Sequence, residues 1–297
     1  MKKGKFVTLL VSGVAAVGLV ASLGLAGCSS GSASTSASAS SSAASASASA
    51  STSTQATQIQ IFAANSLEKA LPEVQKLYTD KHPDVTFADT QFKASGDLVE
   101  QLKGGASADL LITASKGTMD TAEENKLIDS ATRANMFVND LVVVRAQGSD
   151  VSINSIEDVA KVDGKIAIGD AATVPAGKYA NQALASVDLY SNAEGTDGDY
   201  ADSIKDKVNL ADKVGTAASW VSSGDCAVGF VYSSDIYRYD GIEVDYTTPS
   251  DSHKAINYPG AVTAGSKNAT VAADFLNFCM TDPDAQQIFA NYGFQLA

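Results

Sequence analysis

Histidine, cysteine and basic residues are scarce in this sequence. Its 297 residues include two histidines and three cysteines, and 21 Lys and Arg stand against 34 Asp and Glu. The formal net charge of -13 argues against nucleic-acid binding as the main role. The cysteine spacing fits no zinc motif, and the sequence has no G-x-S-x-G, no P-loop and no H-E-x-x-H. These absences exclude the hydrolases, nucleotide-binding enzymes and zinc enzymes that those motifs mark.

The first 57 residues divide into two segments of unlike composition. Lysines near the start precede a long apolar run, and the run ends in the sequence LAGC, which resembles a bacterial lipobox at Cys28. This pattern predicts a lipoprotein signal peptide over residues 1–28 and lipid on the Cys28 thiol, in preference to a membrane-spanning helix. Residues 29–57 are almost wholly Ser, Ala, Thr and Gly. Because such a segment has little to bury, it predicts a disordered tether.

From residue 58 onward, short apolar or β-branched runs alternate with segments of helical period, as is typical of an α/β fold. Strands are predicted at 58–64, 84–92, 108–114, 140–146, 165–171, 226–232, 242–248 and 256–264. Helices are predicted at 66–81, 96–104, 116–127, 155–161, 175–186, 213–223 and 269–292, with a break near Asp282-Pro283 and a kink at Pro72. The strands at 140–146 and 256–264 suggest two crossings between two lobes. We therefore expect residues 58–141 with 257–297 to form lobe 1, residues 142–256 to form lobe 2, and a ligand to lie between them.

Hydrogen-bond donors recur where predicted strands give way to helices. In open α/β sheets ligands bind beyond the carboxyl ends of strands, where the first N–H groups of helices lack partners. Three side-chain hydroxyls lie at such junctions, those of Ser66, Ser95 and Tyr232. Two helix starts add backbone N–H groups, one near Val214 and one at Ala176 and Gly177. Each serine alone is also explained as an ordinary helix N-cap. Together, neutral donors at several junctions favour a small, fully ionised anion that needs donors only.

Six separate segments resemble the periplasmic or lipoprotein molybdate-binding component of bacterial ABC transporters. They are FAANSL, ADLLITAS, NDLVVV, IAIGDAATVPAGKYA, CAVGFVYSSD and FANYGF. The resemblance implies a two-lobed α/β fold of the type II periplasmic-binding-protein class, in which each lobe is a mixed sheet flanked by helices. It also implies a molybdate or tungstate site at Ser66, Ser95, Tyr232 and the N–H groups of Ala176 and Val214. Molybdenum or tungsten would then be bound only as part of its oxyanion, with no direct protein ligand, and no cofactor is expected.

The resemblance has departures and the sequence leaves alternatives open. Asn65 stands where the family often has Ala, and Ala171 stands where it usually has Pro. Residues 191–206 look like an insertion, and because Val214 lies just after it, the assignment of Val214 rests on local spacing. Ser66 and Lys69 also spell S-x-x-K, the signature of some acyl-transfer enzymes, although the S-D-N and K-T-G partner motifs are missing.

A third interpretation is a surface lipoprotein that binds another protein. The resemblance implies a binding protein and not an enzyme. We expect it to be a monomer that is lipid-anchored outside the cytoplasm and delivers its anion to a membrane permease. The pairing of Cys226 with Cys279 is left open by the sequence.

Overall fold

A six-stranded and a five-stranded sheet organise residues 56–297, the part of the chain that the computed structural model describes. The strands are β1 (Thr57–Ile59), β2 (Ile61–Ala64), β3 (Val85–Phe87), β4 (Gln91–Lys93), β5 (Leu110–Ile112), β6 (Ala134–Asn139), β7 (Leu141–Ala146), β8 (Ile166–Gly169), β9 (Val208–Ala211), β10 (Val228–Tyr232), β11 (Ile242–Thr247), β12 (Ile256–Val262) and β13 (Gln295–Leu296). The α-helices are α1 (Ala70–Lys81), α2 (Ser95–Lys103), α3 (Lys116–Glu124), α4 (Pro175–Ala185), α5 (Val214–Ser222), α6 (Ala269–Thr281) and α7 (Pro283–Asn291).

Each sheet is the centre of one lobe. In lobe 1 the strand order is β13-β6-β12-β5-β2-β4, and helices α1, α2, α3, α6 and α7 pack around these strands and the small β1-β3 pair. In lobe 2 the order is β11-β7-β10-β8-β9, with α4 and α5 against the sheet. The chain passes from lobe 1 to lobe 2 between β6 and β7 and returns between β11 and β12. Both sheets mix parallel and antiparallel pairs, so the predicted two-lobed α/β fold is confirmed.

The apolar runs explain why the central strands are buried. Strands β2 and β8 read IFAA and IAIG, and β7 begins LVVV, and all of these residues are buried. Continuous apolar sequence of this kind is typical of strands covered on both faces. Strand β2 pairs in parallel with β4 and β5, and β8 pairs in parallel with β9 and β10. The carboxyl ends of these parallel strands therefore meet along one edge of each sheet.

The structure corrects several local predictions. The predicted strands at 58–64 and 84–92 are each divided in two, and strands β6, β9 and β13 were not predicted. Helix α1 begins at Ala70 instead of 66, so Pro72 lies in its first turn and the predicted kink is wrong. The predicted helix at 155–161 is a 3-10 helix over Ile156–Lys161. The lobe bounds given above stay a prediction.

Cys226 and Cys279 are both buried and free, so they do not form a disulfide. Within residues 56–297, no helix combines the length and apolarity that crossing a bilayer requires. The predicted signal peptide, the tether and the lipidation site at Cys28 lie outside the described residues.

Candidate functional site

All five sequence-predicted site residues line one small cavity between the lobes. Lobe 1 contributes Ser66 after β2 and Ser95 after β4. Lobe 2 contributes Ala176 after β8, Val214 after β9 and Tyr232 at the end of β10. Each is at most 4% exposed. Every one of these groups lies at or just beyond the carboxyl end of a strand with a parallel neighbour, which explains why residues so far apart in sequence meet here.

The two serine hydroxyls are held by other groups and do not cap helices. Ser66 lies within a 3-10 helix whose N-cap is Ala64, and Ser95 is the first residue of α2, whose N-cap is Ala94. Neither helix has a side-chain cap, so the N-cap interpretation is wrong for both serines. The Ser95 Oγ accepts the backbone N–H of Ala114 at 3.0 Å, which leaves its own hydrogen free to donate.

Tyr258 on β12 contacts the hydroxyl of Ser66. Its phenol oxygen lies 2.9 Å from the Ser66 Oγ, and either oxygen can be the donor. With Tyr258 as the donor, the Ser66 hydrogen is also free for another acceptor. Burial raises the pKa of Tyr258 well above its usual range, so the phenol keeps its proton. The sequence patterns did not identify Tyr258, because it lies 192 residues from Ser66 in the chain.

Two backbone N–H groups at helix starts complete the set of donors. Val214 is the first residue of α5, and Ala176 follows Pro175, the first residue of α4. Neither N–H donates to an acceptor within residues 56–297, as is expected for the first turn of a helix. The helix dipole adds partial positive charge at both starts. The N–H of Gly177 instead donates to the Val174 carbonyl at 3.0 Å, so the prediction that it is also free is wrong.

Tyr232 contributes a phenol from the end of β10. Burial raises its pKa well above the usual range, and the hydroxyl stays protonated as a result. It donates to the Ala114 carbonyl at 3.4 Å. A bond of this length is weak, so the proton can turn to a better acceptor at little cost.

The lining of the cavity carries little charge. Lys93 is the only charged residue in the cavity lining, and it is exposed. Lys213 precedes α5 and does not line the cavity, and Lys178 lines a wider groove next to it. That groove mixes lysines with carboxylates, among them Glu100, Asp120 and Asp197. Mixed charge and large size make the groove unsuited to hold a small anion, so the small cavity is the better candidate site.

The Ser66 and Lys69 pair shows no nucleophilic arrangement. Lys69 is exposed at the N-cap of α1, and the hydrogen-bond partner of the Ser66 hydroxyl is Tyr258, not the lysine. A serine nucleophile needs a base within hydrogen-bond reach. The S-x-x-K interpretation therefore has no support in the geometry.

Comparisons with known proteins agree with this arrangement. The family model for bacterial extracellular solute-binding proteins matches residues 59–295. The molybdate-binding protein ModA of Escherichia coli (strain K12) is 36% identical over 245 residues, which cover 80% of this chain and 89% of that protein. The periplasmic molybdate-binding protein of Azotobacter vinelandii superposes with a TM-score of 0.66 at 18% identity, covering 80% of this chain and 99% of that one.

A second solved structure, that of a sulfate-binding protein, has the same fold. The sulfate-binding protein SubI of Mycobacterium tuberculosis H37Rv superposes with a TM-score of 0.68 at 19% identity, covering 81% of this chain and 87% of that one. At such identities the likeness shows the fold alone, so the choice of anion depends on the site itself. From the match over residues 59–295, we conclude that the chain belongs to the bacterial extracellular solute-binding proteins.

Proposed function

We propose that this protein binds molybdate, and tungstate as a close analogue, outside the cytoplasm and delivers the anion to the membrane permease of an ABC transporter. One observation carries the proposal: five neutral donors from both lobes converge on a single small cavity. The 36% identity to a molybdate-binding protein supports the choice of anion. The proposed ligands are the hydroxyls of Ser66, Ser95 and Tyr232 and the N–H groups of Ala176 and Val214.

The chemistry of these groups suits a fully ionised tetrahedral oxyanion. Such an anion offers acceptor atoms only, and each proposed ligand can present a hydrogen to it, because the Ser95 Oγ already accepts from Ala114 and the Ser66 Oγ can accept from Tyr258. A protonated anion such as hydrogen phosphate would bring its own hydrogen and would need an acceptor. Hydrogen bonds to a charged group contribute about 1.5–3 kcal/mol each, so a set of five can bind tightly without a paired cation.

We propose that cavity size sets the selectivity between oxyanions. The donors are fixed on two lobes around one small cavity. Sulfate is smaller than molybdate and would leave some of these donors out of reach. Molybdate and tungstate are alike in size and charge, so the same donors would serve both.

The location of the protein follows in part from its family. Its members are extracellular, so the chain acts outside the cytoplasm. We propose that lipid on Cys28 anchors it to the cell membrane, that residues 29–57 form the tether, and that the protein works as a monomer. The family consists of binding proteins and not of enzymes, which agrees with the lack of contact between Ser66 and Lys69.

A thermal-shift series tests the proposed function directly. At a thousandfold excess over its dissociation constant, a ligand adds about 4 kcal/mol of stability. In a domain of this size we expect the melting temperature to rise by roughly 8–16 °C with molybdate and with tungstate. We expect little change with sulfate or phosphate at the same concentration. No rise with any of the four anions would contradict the proposal and favour the protein-binding lipoprotein.

Replacing Lys93 with methionine is expected to slow the association of molybdate by only a few fold. The side chain is exposed at the cavity, so it attracts an approaching anion through solvent and is screened by salt. Stopped-flow association rates at low and at high ionic strength measure the effect, which should shrink as salt increases. Lys161→Met, an exposed lysine outside the cavity lining, serves as the control. A large, salt-independent loss of affinity would instead make Lys93 a direct ligand.

A further inference from the structure

A second set of contacts joins the lobes immediately beside the proposed ligands. The Asn65 Oδ1 in lobe 1 accepts the backbone N–H of Gly215 at 3.1 Å and an Arg238 Nη2 hydrogen at 3.3 Å, both from lobe 2. Glu68 extends the contact, because its Oε1 lies 2.7 Å from the Arg238 Nη2 and accepts the Tyr239 hydroxyl at 3.2 Å. Asn65 and Glu68 thus form a connected network with three residues of the opposite lobe.

The network is adjacent in sequence to two proposed ligands. Asn65 precedes Ser66, and Gly215 follows Val214. The Asn65–Gly215 hydrogen bond therefore fixes the Ser66 hydroxyl of one lobe relative to the Val214 N–H of the other. It takes the second N–H of helix α5 and leaves the first for an anion. Asn65 is accordingly a positioning residue and not itself a ligand.

Glycine at position 215 makes this close approach possible. A Cβ atom there would lie 2.1 Å from the Tyr239 hydroxyl and 2.7 Å from the Asn65 Oδ1. Both distances are far shorter than any van der Waals contact. Both atoms are side-chain ends, so a Cβ at residue 215 would displace the Tyr239 hydroxyl and the Asn65 amide from these contacts.

Arg238 is poorly explained as a contribution to fold stability. Its side chain is 1% exposed, and it pairs with the fully buried Asp235 within lobe 2 as well as with Glu68 across the cleft. Among residues 56–297, its Nε is the one buried side-chain nitrogen or oxygen without a hydrogen-bond partner. A buried ion pair that is incompletely hydrogen-bonded adds little net stability, because desolvation offsets the attraction. What the arrangement does provide is a connection between lobes that exists only when they are together.

We propose that Asn65 and Glu68 form an interlobe latch with Gly215, Arg238 and Tyr239, and that this latch sets the rate at which the bound anion is released. The inference rests on the proposed oxyanion binding. Opening the cleft separates the two sides of the latch, so its hydrogen bonds stabilise the closed state alone. A contact made only in the closed state slows dissociation more than it changes association.

Two variants and one matched control test the latch. Asn65→Ala removes the acceptor for Gly215, and Glu68→Gln removes the charge that faces Arg238. Glu73→Gln is the control, because Glu73 also accepts a tyrosine hydroxyl, that of Tyr292 at 2.5 Å, but does so within lobe 1. The dissociation rate is measured as filter retention of radiolabelled molybdate after a chase with unlabelled molybdate. The melting temperature without any anion is measured in parallel.

We expect each latch variant to release molybdate about 10-fold faster or more, while its association rate changes by less than about 3-fold. Its anion-free melting temperature should stay within about 2 °C of the wild type, and Glu73→Gln should release molybdate at the wild-type rate. Wild-type dissociation rates in both latch variants would overturn the latch and leave the proposed function standing. A large drop in anion-free melting temperature with an unchanged dissociation rate would show that these contacts stabilise the fold, and it would also overturn the latch. A wild-type protein that retains no molybdate would overturn both.

Discussion

Replacing Val214 with proline is expected to weaken molybdate binding by about 10- to 150-fold while the protein stays folded. Proline removes the backbone hydrogen that we assign to the anion, a bond that contributes about 1.5–3 kcal/mol. The position tolerates proline because Val214 is the first residue of α5. The preceding Lys213 is extended, with φ -158° and ψ 161°, as a residue before proline prefers.

Val214→Ala is the matched control for this variant. It keeps the N–H and removes part of a buried side chain, so it should lower stability by about 1–3 kcal/mol and leave the affinity close to that of the wild type. Titration with molybdate and chemical denaturation measure the two effects separately. Equal affinities of Val214→Pro and the wild type would show that the N–H of Val214 does not contact the anion.

Replacing Gly96 with alanine is expected to weaken molybdate binding by about 5- to 150-fold without a loss of anion-free stability. Gly96 lies in the first turn of α2 in lobe 1, and its N–H donates across the cleft to the Thr173 carbonyl at 3.0 Å. A Cβ at this position would lie 2.8 Å from the Thr173 Cα and 2.9 Å from its carbonyl oxygen. Since both neighbours are backbone atoms, the lobes would have to stay further apart, at a cost of about 1–3 kcal/mol in the closed state.

The helical position makes the expected result for Gly96→Ala distinctive. Alanine is the better helix former by up to about 1 kcal/mol, so the anion-free melting temperature should be unchanged or higher. Gly117→Ala is the control, because Gly117 is also in the first turn of a lobe 1 helix and its added Cβ would come no closer than 4.0 Å to its neighbours. It should bind as the wild type does. Undiminished affinity in Gly96→Ala would show that binding does not need the approach of α2 to Thr173.

Five residues that line the cavity could be predicted from local strand-to-helix junctions together with the family resemblance. A strand end followed by a helix start is visible in a short window, and the strand Ile166–Gly169 followed by Pro175 is a clear example. The parallel pairing of β2 with β4 and of β8 with β9 then brings the separate junctions together. Local windows were less reliable for detail, since Ser66 and Ser95 suit an N-cap by composition and do not serve as one.

The supporting residues could not be predicted because their contacts are distant in sequence. Tyr258 reaches Ser66 from 192 residues away, and Arg238 reaches Asn65 from 173 residues away. Asn65 appeared in the sequence only as a departure from a family pattern. The structure shows its amide oxygen at the start of α5 in the opposite lobe. Strand β9, which leads to Val214, was missed because its exposed Leu210 and polar Asn209 weaken the apolar pattern of an edge strand.

Calorimetric titration of the wild type and of a Ser66→Ala, Ser95→Ala double variant with molybdate tests the central claim most directly. The claim is that neutral donors from both lobes hold one oxyanion in the cavity. We predict one anion per chain in the wild type, with binding weakened by at least about 100-fold in the double variant, since two bonds to a charged group are lost. Sulfate at comparable concentration should not compete. Unchanged affinity in the double variant, or displacement of molybdate by sulfate, would contradict the account.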